Sequence, residues 1–246
     1  MRALILGGTT EARALAKRLV SEGWFVTSSL AGRVSNPKLP VGNVRIGGFG
    51  GPAGLTRWLI SDATEVIIDA THPYAEQISE SAAEAARATG IPLVALHRPA
   101  WEIQPGDNWV EVSSMQEAAD VVADRFYSPF LTIGRQQLAP FAGDSNGRYL
   151  IRCVEQPAPP LPKNRKIILS RGPYDVAAER KLMRDYAVDC VVTKNSGGAA
   201  TYAKIEAARD LKKPVVIVQR PQLPGADIAT VATTVDEAYN AVIRRA

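Results

Sequence analysis

Several residue types that mark special classes of protein are scarce in this chain of 246 residues. It has two cysteines, Cys153 and Cys190, and two histidines. These numbers argue against a structural zinc site and predict two buried free thiols. We therefore expect no bound metal.

Long apolar runs and long basic runs are also missing. No stretch is apolar enough to cross a membrane, and the first residues lack the layout of a signal peptide. The formal net charge is only +4, which suits a small anionic ligand better than a nucleic acid. We expect a cytoplasmic protein, monomeric or a small homo-oligomer, whose partner is a small molecule and not a nucleic acid or a membrane.

What the chain does contain is an alternation of β-branched runs and alanine-rich segments. This alternation predicts an α/β fold with mainly parallel strands covered by helices. The predicted strands are 4–6, 24–29, 66–69, 93–96, 129–133, 166–169, 188–192 and 215–218. The predicted helices are 10–21, 78–88, 176–185 and 201–211.

An internal repeat predicts two similar halves. The segment from Glu84 to Pro99 resembles the segment from Glu206 to Pro221, at a constant offset of 122 residues. We therefore expect two Rossmann-like α/β domains with a cleft between them, which is a common place for a ligand. The predicted domains are 1–100, for the cofactor, and 101–246, for the substrate, with the last helix packing on either one.

The first predicted strand runs into a glycine turn and then a helix, the arrangement that binds a dinucleotide pyrophosphate. The turn lacks the complete GxGxxG pattern, so an ordinary strand-to-helix turn stays open. The predicted cofactor-binding residues here are Gly7, Gly8, Thr9, Thr10 and Glu11.

The region after the second strand contains no acidic residue between Glu22 and Asp62. NAD sites usually place an acid there to bind the ribose, whereas an arginine suits the 2′-phosphate of NADP. Arg33 follows the second strand directly, so we predict NADPH as cofactor, with a solvated loop arginine as the alternative. Gly48, in a second glycine cluster, is a further candidate for the cofactor site.

Polar residues follow the strand 66–69. This strand end is where the nicotinamide and its ribose would lie in a dinucleotide-binding sheet. The candidates are Asp69, Ala70, Thr71, His72 and Tyr74. A structural hydrogen-bonding role for the histidine stays open.

Four segments resemble the precorrin-6A reductase family of cobalamin biosynthesis, in the right order and over nearly the whole chain. They are the glycine turn from Leu6 to Arg13, DATHPYA from Asp69 to Ala75, SRGP from Ser170 to Pro173, and KNSGG from Lys194 to Gly198. The resemblance implies NADPH-dependent reduction of one double bond of the precorrin-6A macrocycle. It leaves open whether that substrate carries cobalt.

The second half has cationic or polar residues after its predicted strands. A corrin precursor carries many carboxylates, and arginine binds a carboxylate through two hydrogen bonds. The predicted substrate-binding residues are Arg135, Arg152, Ser170, Arg171, Lys194, Asn195, Ser196, Gly197, Thr201 and Lys204. Arg220 also follows a predicted strand.

Reduction of a double bond needs a proton as well as a hydride. Asp69 and Lys204 are the first candidates to assist that transfer, on position alone. Two other functions stay open, an NADP-sensing regulatory module without catalysis and a tetrapyrrole methyltransferase. The strand-end cations disfavour the first alternative, and the acid-free region disfavours the second.

Overall fold

The alternating pattern folds into two units, each built on one parallel sheet. The computed structural model describes residues 1–32 and 37–244. Unit 1 comprises Met1–Pro99 and Pro221–Ala246, and unit 2 comprises Ala100–Arg220. The expected second domain ran to residue 246, whereas the structure groups the C-terminal segment with unit 1.

The described part of unit 1 contains six strands and four helices. Its elements are β1 (Arg2–Leu6), α1 (Thr10–Ser21), β2 (Phe25–Leu30), β3 (Asn43–Ile46), α2 (Gly51–Ser61), β4 (Val66–Asp69), α3 (Glu76–Thr89), β5 (Leu93–Leu96), β12 (Thr230–Ala232) and α7 (Val235–Ile243). The sheet order is β12-β5-β4-β1-β2-β3, and the strand pairs are parallel.

The core of unit 1 follows from the two-residue period of its strands. Ile5 and Ile68 face α1 and α7, whereas Leu4 and Ile67 face α2 and α3. Because both faces of the sheet are covered, the central strands β1, β4 and β5 are almost entirely buried and mainly apolar, as is typical of parallel sheets. The C-terminal segment joins unit 1 because β12 pairs with β5 and α7 packs on α1.

Unit 2 contains the remaining strands and three long helices. Its elements are β6 (Trp109–Val112), α4 (Met115–Arg125), β7 (Pro129–Leu131), a 3-10 turn (Ala139–Gly143), β8 (Tyr149–Cys153), β9 (Arg165–Leu169), α5 (Val176–Asp185), β10 (Cys190–Lys194), a second 3-10 turn (Ala199–Thr201), α6 (Ala203–Asp210) and β11 (Val215–Val218).

The sheet of unit 2 has the order β6-β11-β10-β7-β8-β9, in which β7 to β11 repeat the arrangement of β1 to β5 and β6 takes the edge position that β12 has in unit 1. Its strand pairs are also parallel. One core cluster packs Phe130 and Val191 of the sheet against Met183 of α5 and Ile205 of α6. The prediction of an α/β fold with two Rossmann-like, mainly parallel domains is confirmed.

Several predicted boundaries differ from the structure by one or two residues. The strand predicted at 188–192 begins at Cys190 and ends at Lys194, and the one predicted at 129–133 ends at Leu131. The helix predicted from residue 201 is a 3-10 turn followed by α6. Within the described residues, no helix is long and apolar enough to cross a membrane.

Candidate active site

The turn between β1 and α1 forms the first part of the site. Gly8 has a φ of +114°, a conformation that side-chain-bearing residues rarely adopt. The hydroxyl of Thr9 caps α1 by accepting from the amide of Ala12 at 3.0 Å. The first amides of a helix have no acceptor inside it, so this turn presents donors to an anion.

Two further hydrogen bonds join this turn to neighbouring strand ends. The hydroxyl of Thr9 donates to the Ala70 carbonyl at 2.8 Å, and the amide of Gly7 donates to the Ser29 carbonyl at 3.0 Å. The structure therefore brings the glycine turn and the DATHPYA segment together, as the cofactor prediction requires. Both hydrogen bonds of the Thr9 hydroxyl are therefore made to the main chain of unit 1.

Glu11 and Thr10 occupy the first turn of α1. Arg98, which follows β5, pairs with the Glu11 carboxylate at 2.9 Å, and Arg13 donates to the Thr10 hydroxyl at 3.1 Å. A lone carboxylate here would repel a phosphate, so the pairing with Arg98 offsets that repulsion. In the sequence Arg98 is recognisable only as part of the internal repeat, and its contact with Glu11 was not predicted.

Asp69, at the end of β4, is 2% exposed. Its Oδ1 accepts from the amide and the hydroxyl of Thr71, at 3.1 and 2.7 Å. Burial alone would raise the pKa of Asp69, but the electrostatic attraction of the neighbouring His97, with hydrogen bonds from Ser79 and Thr71, holds that pKa below its ordinary value. Asp69 is therefore a carboxylate at neutral pH, able to accept hydrogen bonds but a poor proton donor.

His97 is the second residue of this region that the sequence did not reveal. Its Nε2 lies 3.7 Å from Oδ2 of Asp69, and that nitrogen has no hydrogen-bond partner within the described residues. A buried carboxylate needs a nearby donor or positive charge. The only available signal was that His97 directly follows a predicted strand next to the one that ends in Asp69.

His72 and Tyr74 form the turn that leads into α3. Their ring centroids are 5.6 Å apart, and the Ala75 amide donates to the His72 carbonyl at 2.8 Å. The segment thus turns sharply after β4, and both predicted residues stay near the strand end that carries Asp69.

Gly48 lies in a loop held by an arginine. The guanidinium of Arg45 donates to the carbonyls of Gly47 and Gly48, both at 2.7 Å, and lies 3.7 Å from the ring centroid of Phe49. Arg45 also contacts the hydroxyl of Ser29 near the end of β2, at 3.3 Å. Arg33, the predicted ligand of the 2′-phosphate, lies outside the described residues.

In unit 2 the parallel strands bring several of the predicted cations to one edge of the sheet. Lys194 ends β10, Arg171 lies two residues beyond β9, and Arg220 lies two residues beyond β11. Arg220 donates to the Asn195 carbonyl at 2.6 Å, and Ser170 accepts from the Tyr174 hydroxyl through its carbonyl at 3.0 Å.

Arg135, beyond β7, lines a cavity of about 370 Å³. Gln136, Pro159 and Pro160 also line it, and Arg135 pairs with Glu155 at 3.3 Å. The cavity is at the end of β7 that corresponds to the glycine turn of unit 1. An arginine thus borders a space that has room for a polar group of a ligand.

Arg152 has a different environment from the one predicted. It lies inside β8 and is 7% exposed. Its guanidinium binds the Glu179 carboxylate with both terminal nitrogens, Nη2 at 2.9 Å, and stacks 3.7 Å from the ring centroid of Tyr174. The pair neutralises the arginine within unit 2, and Arg152 lies within β8 and not beyond its end. Substrate binding by Arg152 stays a prediction.

The loop 194–198 turns back under α6. Gly197 has a φ of +68°, and the hydroxyls of Ser196 and Thr201 are 3.5 Å apart. The amide side chain of Asn195 is engaged with the main chain of Trp101, where it accepts from the amide at 2.7 Å and donates to the carbonyl at 3.0 Å.

Lys204, in the first turn of α6, is 4% exposed. Its Nζ donates to the Thr201 carbonyl at 3.0 Å and lies 4.9 Å from the ring centroid of Trp101. Burial, with the nearby charge of Arg152, lowers the pKa of Lys204 to about 7. Such an amine is close to half protonated at neutral pH, which suits a general acid.

Comparison with known proteins identifies the group to which this chain is related. Residues 2–242 match the family model described as precorrin-6x reductase CbiJ/CobK. The chain belongs to this family. The prediction of a reductase acting on a CH–CH group is thereby confirmed, in preference to a non-catalytic module or a methyltransferase.

Individual members of the precorrin-6x reductase family are similar over their whole length. The precorrin-6A reductase of Rhodococcus erythropolis is 48% identical, with 98% of this chain and 96% of that protein covered. The cobalt-precorrin-6A reductase of Priestia megaterium is 30% identical, with 98% of each chain covered. A solved structure of CobK precorrin-6A reductase has a TM-score of 0.93 and 38% identity, covering 100% of this chain and 97% of that one.

Membership of a reductase family, together with the Rossmann-like sheet, supports a nicotinamide cofactor in general. The residues that the structure describes fit such a group, because the glycine turn, the start of α1 and the end of β4 adjoin one another. The described residues include no group of three or more histidine, cysteine or acidic side chains that could hold a metal ion.

Proposed function

We propose that this protein reduces precorrin-6A with NADPH, in the synthesis of cobalamin. The observation that carries the proposal is the similarity to precorrin-6A reductases at 48% identity, which extends over nearly the entire chain and includes both units. The relatives named cobalt-precorrin-6A reductases are 25–30% identical. The metal-free macrocycle is therefore the proposed substrate.

Unit 1 is the proposed cofactor domain. The glycine turn and the first amides of α1 would bind the pyrophosphate, and Asp69, Thr71, His72 and Tyr74 would border the nicotinamide end. Arg33 would bind the 2′-phosphate, because no acidic residue occurs between Glu22 and Asp62 to bind a free ribose hydroxyl. When bound, the nicotinamide supplies the hydride.

Unit 2 is the proposed tetrapyrrole domain. Arg135, Arg171 and Lys194 would bind the peripheral carboxylates, and the loop from Ser196 to Thr201 would add hydroxyl and amide donors. The charge of Arg152 is matched by Glu179, so that arginine is the weaker candidate for binding a carboxylate.

Lys204 is the proposed proton donor. Its ammonium form would transfer a proton to the macrocycle while a hydride is added, and the neutral amine would be reprotonated between turnovers, by exchange with solvent when the macrocycle is absent. Asp69 is the weaker candidate for donor, because its lowered pKa favours the carboxylate form. Its proposed role is to accept hydrogen bonds from the cofactor and to balance His97.

The direct test is anaerobic turnover of precorrin-6A by the purified protein, followed through loss of NADPH absorbance and the mass of the product. We expect one NADPH consumed per macrocycle and a product two hydrogens heavier. Faster turnover of the cobalt form than of the metal-free form would contradict the substrate proposed here, and no turnover of either would contradict the function.

The cofactor preference is tested separately by titrating NADPH and NADH while following nicotinamide fluorescence. We expect NADPH to bind more tightly, by about tenfold or more, because an arginine–phosphate pair is a charge-assisted contact. Arg33→Ala should remove that preference, whereas Lys38→Ala, in the same acid-free region, should retain it. Equal affinity for the two cofactors in the unchanged protein would exclude a 2′-phosphate site.

A further inference from the structure

Asn195 was predicted to bind the substrate, but its side chain makes two hydrogen bonds to the main chain of another residue. The oxygen of its amide accepts from the Trp101 amide at 2.7 Å, and the nitrogen donates to the Trp101 carbonyl at 3.0 Å. The two residues are 94 positions apart in the chain. A side chain that satisfies both main-chain groups of one distant residue fixes the position of that residue closely.

The residue that Asn195 holds is in contact with the proposed proton donor. The indole ring of Trp101 is 9% exposed, and its centroid is 4.9 Å from Nζ of Lys204. The Trp101 ring also lies 5.7 Å from the ring of Tyr202, which packs against the core cluster of unit 2 to which Trp101 belongs. The flat aromatic face thus covers the amine.

Charged groups from three elements surround the same amine. Arg152 of β8 and Glu179 of α5 form a pair, and Lys194 ends β10. The two cations disfavour a third charge nearby, whereas Glu179 favours it. Because these charges differ in sign and burial is the largest cause of the lowered pKa, the protonation of Lys204 depends strongly on whether water reaches it.

We propose that Asn195 is a positioning residue that acts through Trp101, whose indole ring it holds over the amine of Lys204 so that water is excluded. The role of Lys204 as proton donor is the part that rests on the proposed function. Loss of the two bonds would let the loop around Trp101 move away and admit water, so the ammonium form of Lys204 would become easier to maintain.

The test is a titration of Lys204 in the full-length protein by NMR of ¹³C-labelled lysine side chains. The signal is assigned by its loss in Lys204→Met. We expect a midpoint near pH 7 in the unchanged protein and a midpoint higher by about one unit or more in Asn195→Ala, because desolvation is what lowers the pKa of a buried lysine. The decline of kcat at high pH should move by the same amount, a change that loss of stability alone would not produce.

Three variants make the test specific. Trp101→Ala keeps the main-chain groups that Asn195 binds but removes the ring, so it should shift the midpoint as Asn195→Ala does. Trp101→Phe should behave like the unchanged protein. Asn164→Ala is the matched control, since its amide also bonds a main-chain carbonyl of unit 2, that of Ser145 at 3.2 Å, on the exposed surface.

Asn195→Leu, which is similar in volume and lacks both bonds, replaces Asn195→Ala if the latter does not fold. A folded variant of Asn195 with an unchanged Lys204 midpoint would overturn the proposal, as would a midpoint near 10 in the unchanged protein. Full turnover by Lys204→Met would instead remove the proton-donor role of Lys204, while the titration would still decide whether Asn195 keeps water from the amine.

Discussion

The two sheets have the same strand order but differ at the turn that follows their central strand. In unit 1, β1 is followed by a tight glycine turn and the 12-residue helix α1, whose start is capped by Thr9. In unit 2, β7 is followed by Gly134, Arg135 and only a 3-10 turn of five residues. One turn presents backbone donors to an anion, and the other presents an arginine side chain.

Under the proposed function, this difference would let one architecture bind two ligands. A helix start suits a pyrophosphate, which is compact and can approach the backbone. Carboxylates spread around a macrocycle are better matched by long side chains that reach from several strand ends. The strand ends show the same contrast, because β4 ends in the buried carboxylate Asp69 and β10 ends in Lys194.

The largest effect that this comparison of the two units predicts is at Lys204, a residue of unit 2 that we propose to be catalytic. Lys204→Met should lower kcat by about 10²-fold or more, as expected for loss of a general acid, without changing NADPH affinity. Stopped-flow measurement of NADPH oxidation at saturating precorrin-6A checks this. A rate within a factor of three of the unchanged protein would exclude the assigned role.

The same substitution should stabilise the protein. The pKa of Lys204 is lowered to about 7 from 10.5, so burying its charge opposes folding fully below pH 7 and less as the pH rises from 7 towards 10.5. We expect Lys204→Met to raise the free energy of unfolding at pH 6 by about 1–3 kcal/mol, and by less at pH 9. Urea unfolding at both pH values would show it, and a loss of stability at pH 6 would contradict it.

Asp69→Asn tests the opposite charge, at the end of β4. The side-chain amide of the asparagine can still accept from Thr71, but the substitution removes the negative charge that faces His97. We therefore expect NADPH affinity or turnover to fall by about tenfold with the fold retained. The lowered pKa of Asp69 stabilises the folded state above the ordinary pKa of 3.8, and that contribution is lost as the pH falls below it. Acid unfolding monitored by circular dichroism should therefore show a weaker pH dependence in Asp69→Asn, with Asp62→Asn, at the end of α2, as control.

The smallest expected effect concerns a feature that the two units share. Ser114 caps α4 and Thr234 caps α7, each by accepting from the amide of a glutamate three residues later, at 3.1 Å. Ser114→Ala and Thr234→Ala should each cost about 1 kcal/mol of unfolding free energy. Thermal unfolding compares them, and a cost in one but not the other would show that the caps are not equivalent.

The sequence predicted much of this arrangement because its strongest signals are local. Apolar runs such as 93–96 and 215–218 require no knowledge of the rest of the fold, and they match the observed elements. The repeat also predicted the matching halves. The assignment of β12 to unit 1 depends on pairing between distant strands, which no local pattern encodes.

Site residues were predictable where position along a strand decides their place, and not where a partner decides it. Arg152 precedes a strand end by one residue, and only the structure shows that Glu179 binds it. The amide of Asn195 and the imidazole of His97 likewise depend on Trp101 and Asp69, which are distant in the sequence. A motif supplies residue types, whereas pairing depends on the three-dimensional fold.

The division of ligands between the units is tested most directly by one matched pair of substitutions, Gly8→Ala and Gly134→Ala. Both glycines have positive φ, +114° and +83°, so alanine introduces backbone strain at both turns. Titration with NADPH, followed by nicotinamide fluorescence, should show affinity reduced by about tenfold or more in Gly8→Ala and unchanged in Gly134→Ala. Weaker NADPH binding in Gly134→Ala, with normal binding in Gly8→Ala, would contradict the assignment of the cofactor to unit 1.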